Sequence, residues 1–475
     1  MKVCVLQPDY STSRVDYQNY DPRRDLAPLL PGHQVDHVFL NKLTTHRQLR
    51  QLSAQGYDIF VNLCEGYPDW EVPGVDVIEA LERLSLPYTG PMPALYDVAK
   101  PVMKYVACTA GVATPAHAVV SRLDGLDRAV AGLRFPLFVK PSHAGDSLGI
   151  HASALVRDAD ALSGAVGTII EEFGEALVEE YVDGPEFTVL VLGAVEPGNR
   201  PTALAPVQYI FPPGPAFKTY AHKTSALHPD ANVPVTDAAL ADRIREAAVR
   251  IFHAFGGVGY GRLDLRQGAD GELYFLEINF TCSVFYQDGY EGSADFILAQ
   301  DGLGQAGFLR HIIAEGMARH RRRVPPYAMR GNGIAGYGIF ATRALAASEI
   351  VFRGEGRAQR IVTARHAATW GSKERSDFRR YAWPLSDQVF AMWDADPTSW
   401  APQNHSCAAN TRFDGLDVVA SRAIAAEEEL TLDYATFMDG AAEPFECRCG
   451  AATCRGRIEG AAGNSVTMRE RRVVS

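Results

Sequence analysis

Apolar residues over the first 320 positions come in short runs separated by helical patterns, the alternation expected of an α/β fold. Lys2 to Gln7 and Tyr57 to Leu63 (YDIFVNL) predict β-strands. Val75 to Leu84 (VDVIEALERL) places its apolar residues at helical intervals, and Ala238 to Phe255 predicts a long amphipathic helix. Leu137 to Lys140 (LFVK), Ala176 to Tyr181, Phe187 to Leu192 and Leu273 to Asn279 predict further strands. No internal repeat or low-complexity tract interrupts the pattern. The run Arg319-His320-Arg321-Arg322-Arg323, followed by Pro325-Pro326, breaks it and predicts a solvated linker. Beyond it, GNGIAGYGIFATRALAASEIVF reads as the opening strand of another region.

A chain of 475 residues exceeds what one core holds and implies several domains. Hydrophobic residues at 47% and charged residues at 22% are ordinary for soluble globular material. A net charge of -11 argues against wrapping nucleic acid or coating an anionic membrane. No apolar run reaches bilayer-spanning length. The opening MKVCVLQPDY reads as a strand and not as a signal peptide, and the cysteines are scattered, so the expected setting is a reducing cytoplasm.

Four of the 8 cysteines crowd the last part of the chain. Cys447-x-Cys449-x4-Cys454 is one soft ligand short of a tetrahedral structural Zn²⁺ site, and Cys407 is the nearest candidate to complete it. Closure would fold the chain end back over Asn404-His405. The alternative is a disulfide or unrelated thiols.

Gly336-Tyr337-Gly338, then Asn404-His405-Ser406-Cys407, then Asp433-Tyr434, then the cysteine cluster follow one another in the order of a SET domain with its post-SET zinc segment. Residues 330–457 resemble that lysine methyltransferase family, which uses S-adenosylmethionine. The resemblance implies that Gly336, Tyr337, Gly338, Asn404 and His405 hold the cofactor and that Tyr434 faces the transferring methyl. Phe437, Trp393 and Trp400 are candidate walls of the acceptor channel, with core packing as their alternative role. Methyl transfer to a lysine needs a neutral amine and in-line positioning, and desolvation in a narrow aromatic channel favours both. The family commonly continues its Asn-His-Ser-Cys with Asp-Pro-Asn; here Ala408-Ala409-Asn410 follows.

A second constellation precedes the linker. Arg262-Leu263-Asp264 is followed by a turn at Gly268-Ala269-Asp270-Gly271 and the strand Leu273 to Asn279. Strand alternation points Glu277 and Asn279 to one face, and with Asp264 they offer oxygen ligands that suit Mg²⁺ bridging phosphates. Lys100 and Lys140 are basic groups fit for phosphate oxygens. The segment Lys140 to Gly149 (KPSHAGDSLG) is fit to fold over a triphosphate.

That order resembles the ATP-grasp fold, and within it the D-alanine–D-alanine ligases, over residues 55–320. DVAKPVMKYVACTAGVAT looks like the first nucleotide-binding helix, with Lys100, and PLFVKPSHAGDSLG supplies Lys140, Ser147 and the loop over the phosphates. In LVEEYVDGPEFTV, Glu179, Glu180 and Val182 match the hinge that reads adenine, and Glu186 matches the ribose ligand. Lys223 matches a mobile-loop lysine. The resemblance gives Arg262 the acyl-phosphate transition state, and Asp264, Glu277 and Asn279 the Mg²⁺ ions. The implied activity is ATP-dependent joining of a carboxylate to an amine, on amino-acid or peptide-like substrates. Both amino-acid pockets depart from the family: Phe280-Thr281-Cys282-Ser283 replaces the turn after the asparagine, and Gln7-Pro8-Asp9-Tyr10 replaces the N-terminal loop. D-alanyl-D-alanine is therefore not the expected product.

The expected architecture is an α/β ATP-grasp enzyme followed by a mostly-β SET domain. It comprises an N-terminal α/β domain (1–95), an ATP-grasp domain of two α+β lobes (96–318), a linker (319–329), a SET domain (330–440), a post-SET zinc segment (441–460) and a tail (461–475). Two functional readings follow. Either the chain is bifunctional, ligating and then methylating, or the front section only recruits a peptide or protein lysine to the methyltransferase. The ligase resemblance also extends to a homodimer.

Overall fold

The computed structural model describes residues 1–13, 21–66, 71–143, 148–196, 198–211, 217, 231–287, 289–332, 336–353, 359–386, 388–393, 403–415, 417–438 and 444–459. The chain divides into two units, Met1–Arg323 and Val324–Ser475.

The first unit opens with β1 (Lys2–Pro8), the middle strand of a parallel sheet between β2 (Gln34–Leu40) and β3 (Ile59–Asn62). Val3 to Leu6 is apolar without alternation because both faces are covered. Cys4, Leu6 and Phe60 pack on Leu49, Leu52, Val77 and Ile78 of helices Thr45–Ser53 and Val75–Arg83. On the other face, Val3, Val5, Ile59 and Val61 meet Phe308, Leu309 and Ile312 of helix Gly304–Arg323.

That helix corrects the expected linker. Residues 319–323 form its last turn instead of a solvated hinge. Arg319 is buried, donating to the carbonyls of Gly90 and Tyr88 at 2.8 Å each. Its guanidinium also lies 3.7 Å from Glu315. The basic run is therefore amphipathic: one arginine ties the helix to the N-terminal sheet.

Two further sheets complete this unit. β4 (His117–Val120), β5 (Leu137–Pro141), β6 (Leu155–Val156) and β7 (Ala176–Glu180) form an antiparallel sheet in the order β4-β7-β5-β6. Helix Ala159–Phe173 packs against it through Leu162, Val166 and Ile169. Asp158 caps that helix by accepting from the Ala161 N–H at 2.9 Å. The larger sheet contains β8 (Glu186–Leu192), β9 (Thr202–Ala203), β10 (Val207–Tyr209), β11 (Asn232–Pro234), β12 (Tyr260–Gln267) and β13 (Leu273–Asn279). Its order is β11-β10-β8-β12-β13, with β9 beside β8. Helices Lys100–Thr109 and Ala238–Ala254 cover one face of it, around Phe187, Val189, Leu263 and Phe275.

The second unit is built from short strands. β14 (Tyr327–Asn332) and β15 (Gly336–Ala341) form a hairpin. In chain order follow β16 (Ile350–Phe352), β17 (Gln359–Thr363), β18 (Trp383–Ser386), β19 (Val389–Trp393), β20 (Asn404–His405), β21 (Thr411–Asp414), β22 (Asp417–Ala420) and β23 (Thr431–Leu432). Five of these pair as β16-β22-β21-β23-β20, and three as β17-β19-β18. β24 (Phe445–Glu446) and β25 (Arg457–Ile458) close the described chain. Ile339, Ala341, Leu345, Val418, Leu430 and Leu432 form its core. No described helix is long and apolar enough to cross a membrane.

Candidate functional site

In the first unit, a half-open cavity lies between the two antiparallel sheets. Phe138 and Lys140 of β5 line it from one side, with Glu179, Glu180, Tyr181 and Val182 at the end of β7. Glu186 of β8, Asp264 and Arg266 of β12, and Leu276 and Glu277 of β13 line it from the other.

Lysines from a helix and a strand pair with the carboxylates that line this cavity. Lys100 and Lys104 lie four residues apart on helix Lys100–Thr109, hence on one face. Lys104 is wholly buried, with its Nζ 2.5 Å from Glu179 and donating to the Leu276 carbonyl at 3.0 Å. The other Glu179 oxygen lies 2.7 Å from Lys140. Lys100 Nζ stands 3.9 Å from Glu277. Burial dominates at Lys104 and, despite Glu179, lowers its ammonium to about 8. Burial opposes ionisation of Glu179, but the two lysines outweigh it and hold the carboxyl at about 2. Lys140 and Lys104 thus share one carboxylate.

Alternation along β7 sends Glu180 the opposite way, to the exposed Arg134 guanidinium at 2.8 Å. Both carboxylates at the end of β7 are therefore committed to cations. Glu186 faces Arg266 across β8 and β12, at 3.0 Å.

The oxygen donors are set by register. Asp264 pairs with Glu277 and Arg262 with Asn279 across β12 and β13. Arg262 lies 3.5 Å from Asp264. The Asn279 side-chain nitrogen is buried without a hydrogen-bond partner among the described residues. The two ends of an amide exchange by rotation, so Asn279 can equally turn its oxygen to that spot. Two carboxylates and an amide form an all-oxygen set, which fits Mg²⁺. Ser147 and Lys223 lie outside the described residues.

The second unit holds the other constellation. β20 pairs in parallel with β23, Asn404 opposite Thr431 and His405 opposite Leu432, which brings Asn-His beside Asp433-Tyr434. Asn404 donates to the Tyr337 carbonyl at 2.9 Å and to Glu429 at 2.8 Å. A Cβ on Gly338 would stand 2.3 Å from the Glu429 carboxylate and 2.9 Å from the Asn404 amide, so both side-chain ends would have to shift. Gly336 has φ +87, a left-handed conformation that disfavours side chains.

His405 links this corner to the cysteines. Its Nδ1 accepts from the Tyr434 N–H at 3.1 Å, which leaves Nε2 as the donor to Cys407 Sγ at 3.4 Å. Burial lowers the imidazole below its ordinary value, consistent with a neutral ring. The Tyr434 hydroxyl donates to the Gln403 carbonyl, and its ring stands 5.3 Å from Phe437 and 5.9 Å from Phe445. Trp400 lies outside the described residues, as does the side chain of Trp393.

Cys407, Cys447, Cys449 and Cys454 converge, their sulfurs all within 4.8 Å of one another. No disulfide joins them. Cys407 and Cys447 Sγ are 3.8 Å apart, about the edge of a tetrahedron with Zn–S near 2.3 Å. Backbone N–H groups of Cys407 and Arg455 point at Cys449 and Cys407 sulfurs, each at 3.4 Å. Burial opposes a thiolate at Cys449, but N–H groups of Cys407 and Ala451 outweigh it and lower the thiol. The donor set fits Zn²⁺.

Two charged residues of this region, Lys104 and Arg266, have no role in the sequence reading. Lys104 was findable as the second lysine one helical turn after Lys100. Arg266 was findable by alternation, two residues beyond Asp264 on the same strand. Asn410, read only as part of a departure, is buried and ties Glu429, through its carbonyl at 2.8 Å, to the Thr431 N–H at 2.9 Å.

Known proteins match both halves. Residues 101–284 match the family described as D-ala D-ala ligase C-terminus, and residues 336–435 match the SET domain. The chain is 32% identical over 243 residues to a D-alanine–D-alanine ligase of Bordetella petrii, covering 50% of this chain and 70% of that one. It is 34% identical over 202 residues to the ligase of Pseudomonas fluorescens, covering 42% of this chain and 59% of that enzyme's length. The solved D-alanine–D-alanine ligase of Coxiella burnetii has the same fold, with a TM-score of 0.50 at 17% identity, over 68% of this chain and 97% of that one. The chain therefore belongs to the D-alanine–D-alanine ligase family, with an ATP-grasp fold in its first two-thirds and a SET domain behind it.

Proposed function

We propose that the first unit is an ATP-dependent carboxylate–amine ligase acting on amino-acid or peptide-like substrates other than two D-alanines. One observation carries this reading: Lys140, Glu186, Asp264 and Glu277 line a single cavity. A purely structural cleft has no need of that combination. Lys100 and Lys140 would bind phosphate oxygens of ATP. Asp264, Glu277 and Asn279 would hold Mg²⁺, whose charge neutralises the phosphates as the substrate carboxylate attacks the γ-phosphorus. ADP leaves, and an amine displaces phosphate from the acyl phosphate to give the amide. Arg262, 3.5 Å from Asp264, would stabilise charge on the transferring group.

The second unit is proposed to be an N-methyltransferase, with a peptide or protein lysine or the ligated product as acceptor. S-adenosylmethionine would supply an electrophilic methyl when bound. Gly336, Tyr337, Gly338, Asn404 and His405 would bind it. Tyr434 would orient the acceptor nitrogen, and the four cysteines, holding Zn²⁺, would fix His405. Release of phosphate from ATP with pooled amino acids tests the ligase reading. A substrate-dependent rate abolished by Glu277→Ala is expected. No release across a broad panel would favour a front section that only recruits the methyl acceptor.

A further inference from the structure

Arg266 lines the cavity and has no role in the ligase chemistry proposed above. It stands directly opposite Glu186 across β12 and β8. Its Nε donates to Glu186 Oε2 at 3.0 Å, and its second terminal nitrogen lies 3.0 Å from the same oxygen. Its remaining terminal nitrogen donates to the Val182 carbonyl at 3.0 Å. The guanidinium centre lies 5.1 Å from the Tyr181 ring and 5.3 Å from that of Phe211. Arg266 thus grips two parts of the cavity wall at once: the hinge after β7 and the acid at the head of β8.

We propose that Arg266 is a positioning residue for the ribose of the nucleotide, fixing the rotation of the Glu186 carboxylate so that it accepts from the ribose hydroxyls. A carboxylate held by two donors on one oxygen cannot spin about its bond to the side chain, so its other oxygen keeps one direction. A buried ion pair adds little net stability over apolar residues of like volume. The pair on this wall is therefore better accounted for by geometry than by stability. Its grip on Val182 fixes the hinge in the same frame, so ribose and base contacts are set together. The inference rests on the reading of this cavity as a nucleotide site.

The test compares binding of ATP with that of a dideoxy-ATP lacking both ribose hydroxyls, by calorimetry with Mg²⁺ on the full chain. Wild type should prefer ATP. In Arg266→Met, which keeps the length and loses both grips, that preference should fall about tenfold. Dideoxy-ATP binding should change much less. Arg266→Lys, which keeps charge without the two-pronged contact, should restore part of the preference. If Arg266→Met does not fold, the lysine variant carries the test alone and must show a preference below wild type. An unchanged preference in the folded variants, even with both affinities weakened equally, would reduce Arg266 to a structural residue and overturn the proposal. Failure of wild type to bind either nucleotide would instead remove the nucleotide reading itself, and this would be seen before any variant is compared.

Discussion

The charged cleft and the cysteine corner are organised on different principles. In the cleft, each charge is held by an opposite charge delivered from a long element: Lys104 and Lys140 on Glu179, Arg266 on Glu186. Strands of five to eight residues fix which side chains meet. In the corner, two-residue strands carry Asn404-His405 and Thr431-Leu432, and sulfurs from two segments, Cys407 and Cys447 to Cys454, converge beside them. The cleft is thus held by ion pairs between long elements, whereas the corner, on the reading proposed above, would rely on Zn²⁺ to stay assembled.

The largest expected effect breaks that contrast at its weaker side. Chelation, or Cys449→Ser, should abolish methyl transfer and unfold the second unit, because structural zinc contributes on the order of 10 kcal/mol. The melting of the first unit and its ATP turnover should be unaffected. Metal analysis and calorimetry with resolved transitions would check this, and a second unit that melts unchanged after metal loss would count against it.

Next comes the charge cluster of the cleft. Glu179→Gln leaves Lys104 and Lys140 without their shared carboxylate and should cost the first unit about 3–5 kcal/mol. The pH dependence follows from the same groups. Glu179 is lowered from 4.5 to about 2, so its contribution is full above pH 4.5 and is lost as pH falls toward 2. Lys104 is lowered from 10.5 to about 8, so between those values the unfolded chain binds more protons and stability rises with pH. Urea unfolding of the wild type across pH should show both limbs, and Glu179→Gln should erase the acidic one. The smallest effect sharpens the contrast in the corner. Gly338→Ala crowds Glu429 and Asn404 and should cost about 1–3 kcal/mol, together with S-adenosylmethionine affinity. Thermal melts with and without the cofactor would measure both.

Much of the cleft was legible because its residues sit on periodic elements. Leu273 to Asn279 reads as a strand from its apolar run, and the register then pairs Asp264 with Glu277. Helix Val75–Arg83 and helix Ala238–Ala254 were equally plain from spacing. What escaped depends on partners distant in sequence. The role of Arg266 appears only when β12 is laid beside β8. The basic run was misread because charge alone gives no sign that Arg319 reaches the Tyr88 and Gly90 carbonyls. In the corner, the order of motifs revealed the site, but the bridge from Cys407 through His405 to Tyr434 needs the fold.

Most direct is mass spectrometry of the products formed from small-molecule extract with ATP and S-adenosylmethionine, comparing wild type with Glu277→Ala and Tyr434→Phe. Two chemistries on one chain predict a condensed product missing only with Glu277→Ala, and a methylation that Tyr434→Phe removes while condensation continues. Condensation that survives Glu277→Ala, or methylation that survives Tyr434→Phe, would contradict the assignment of these sites.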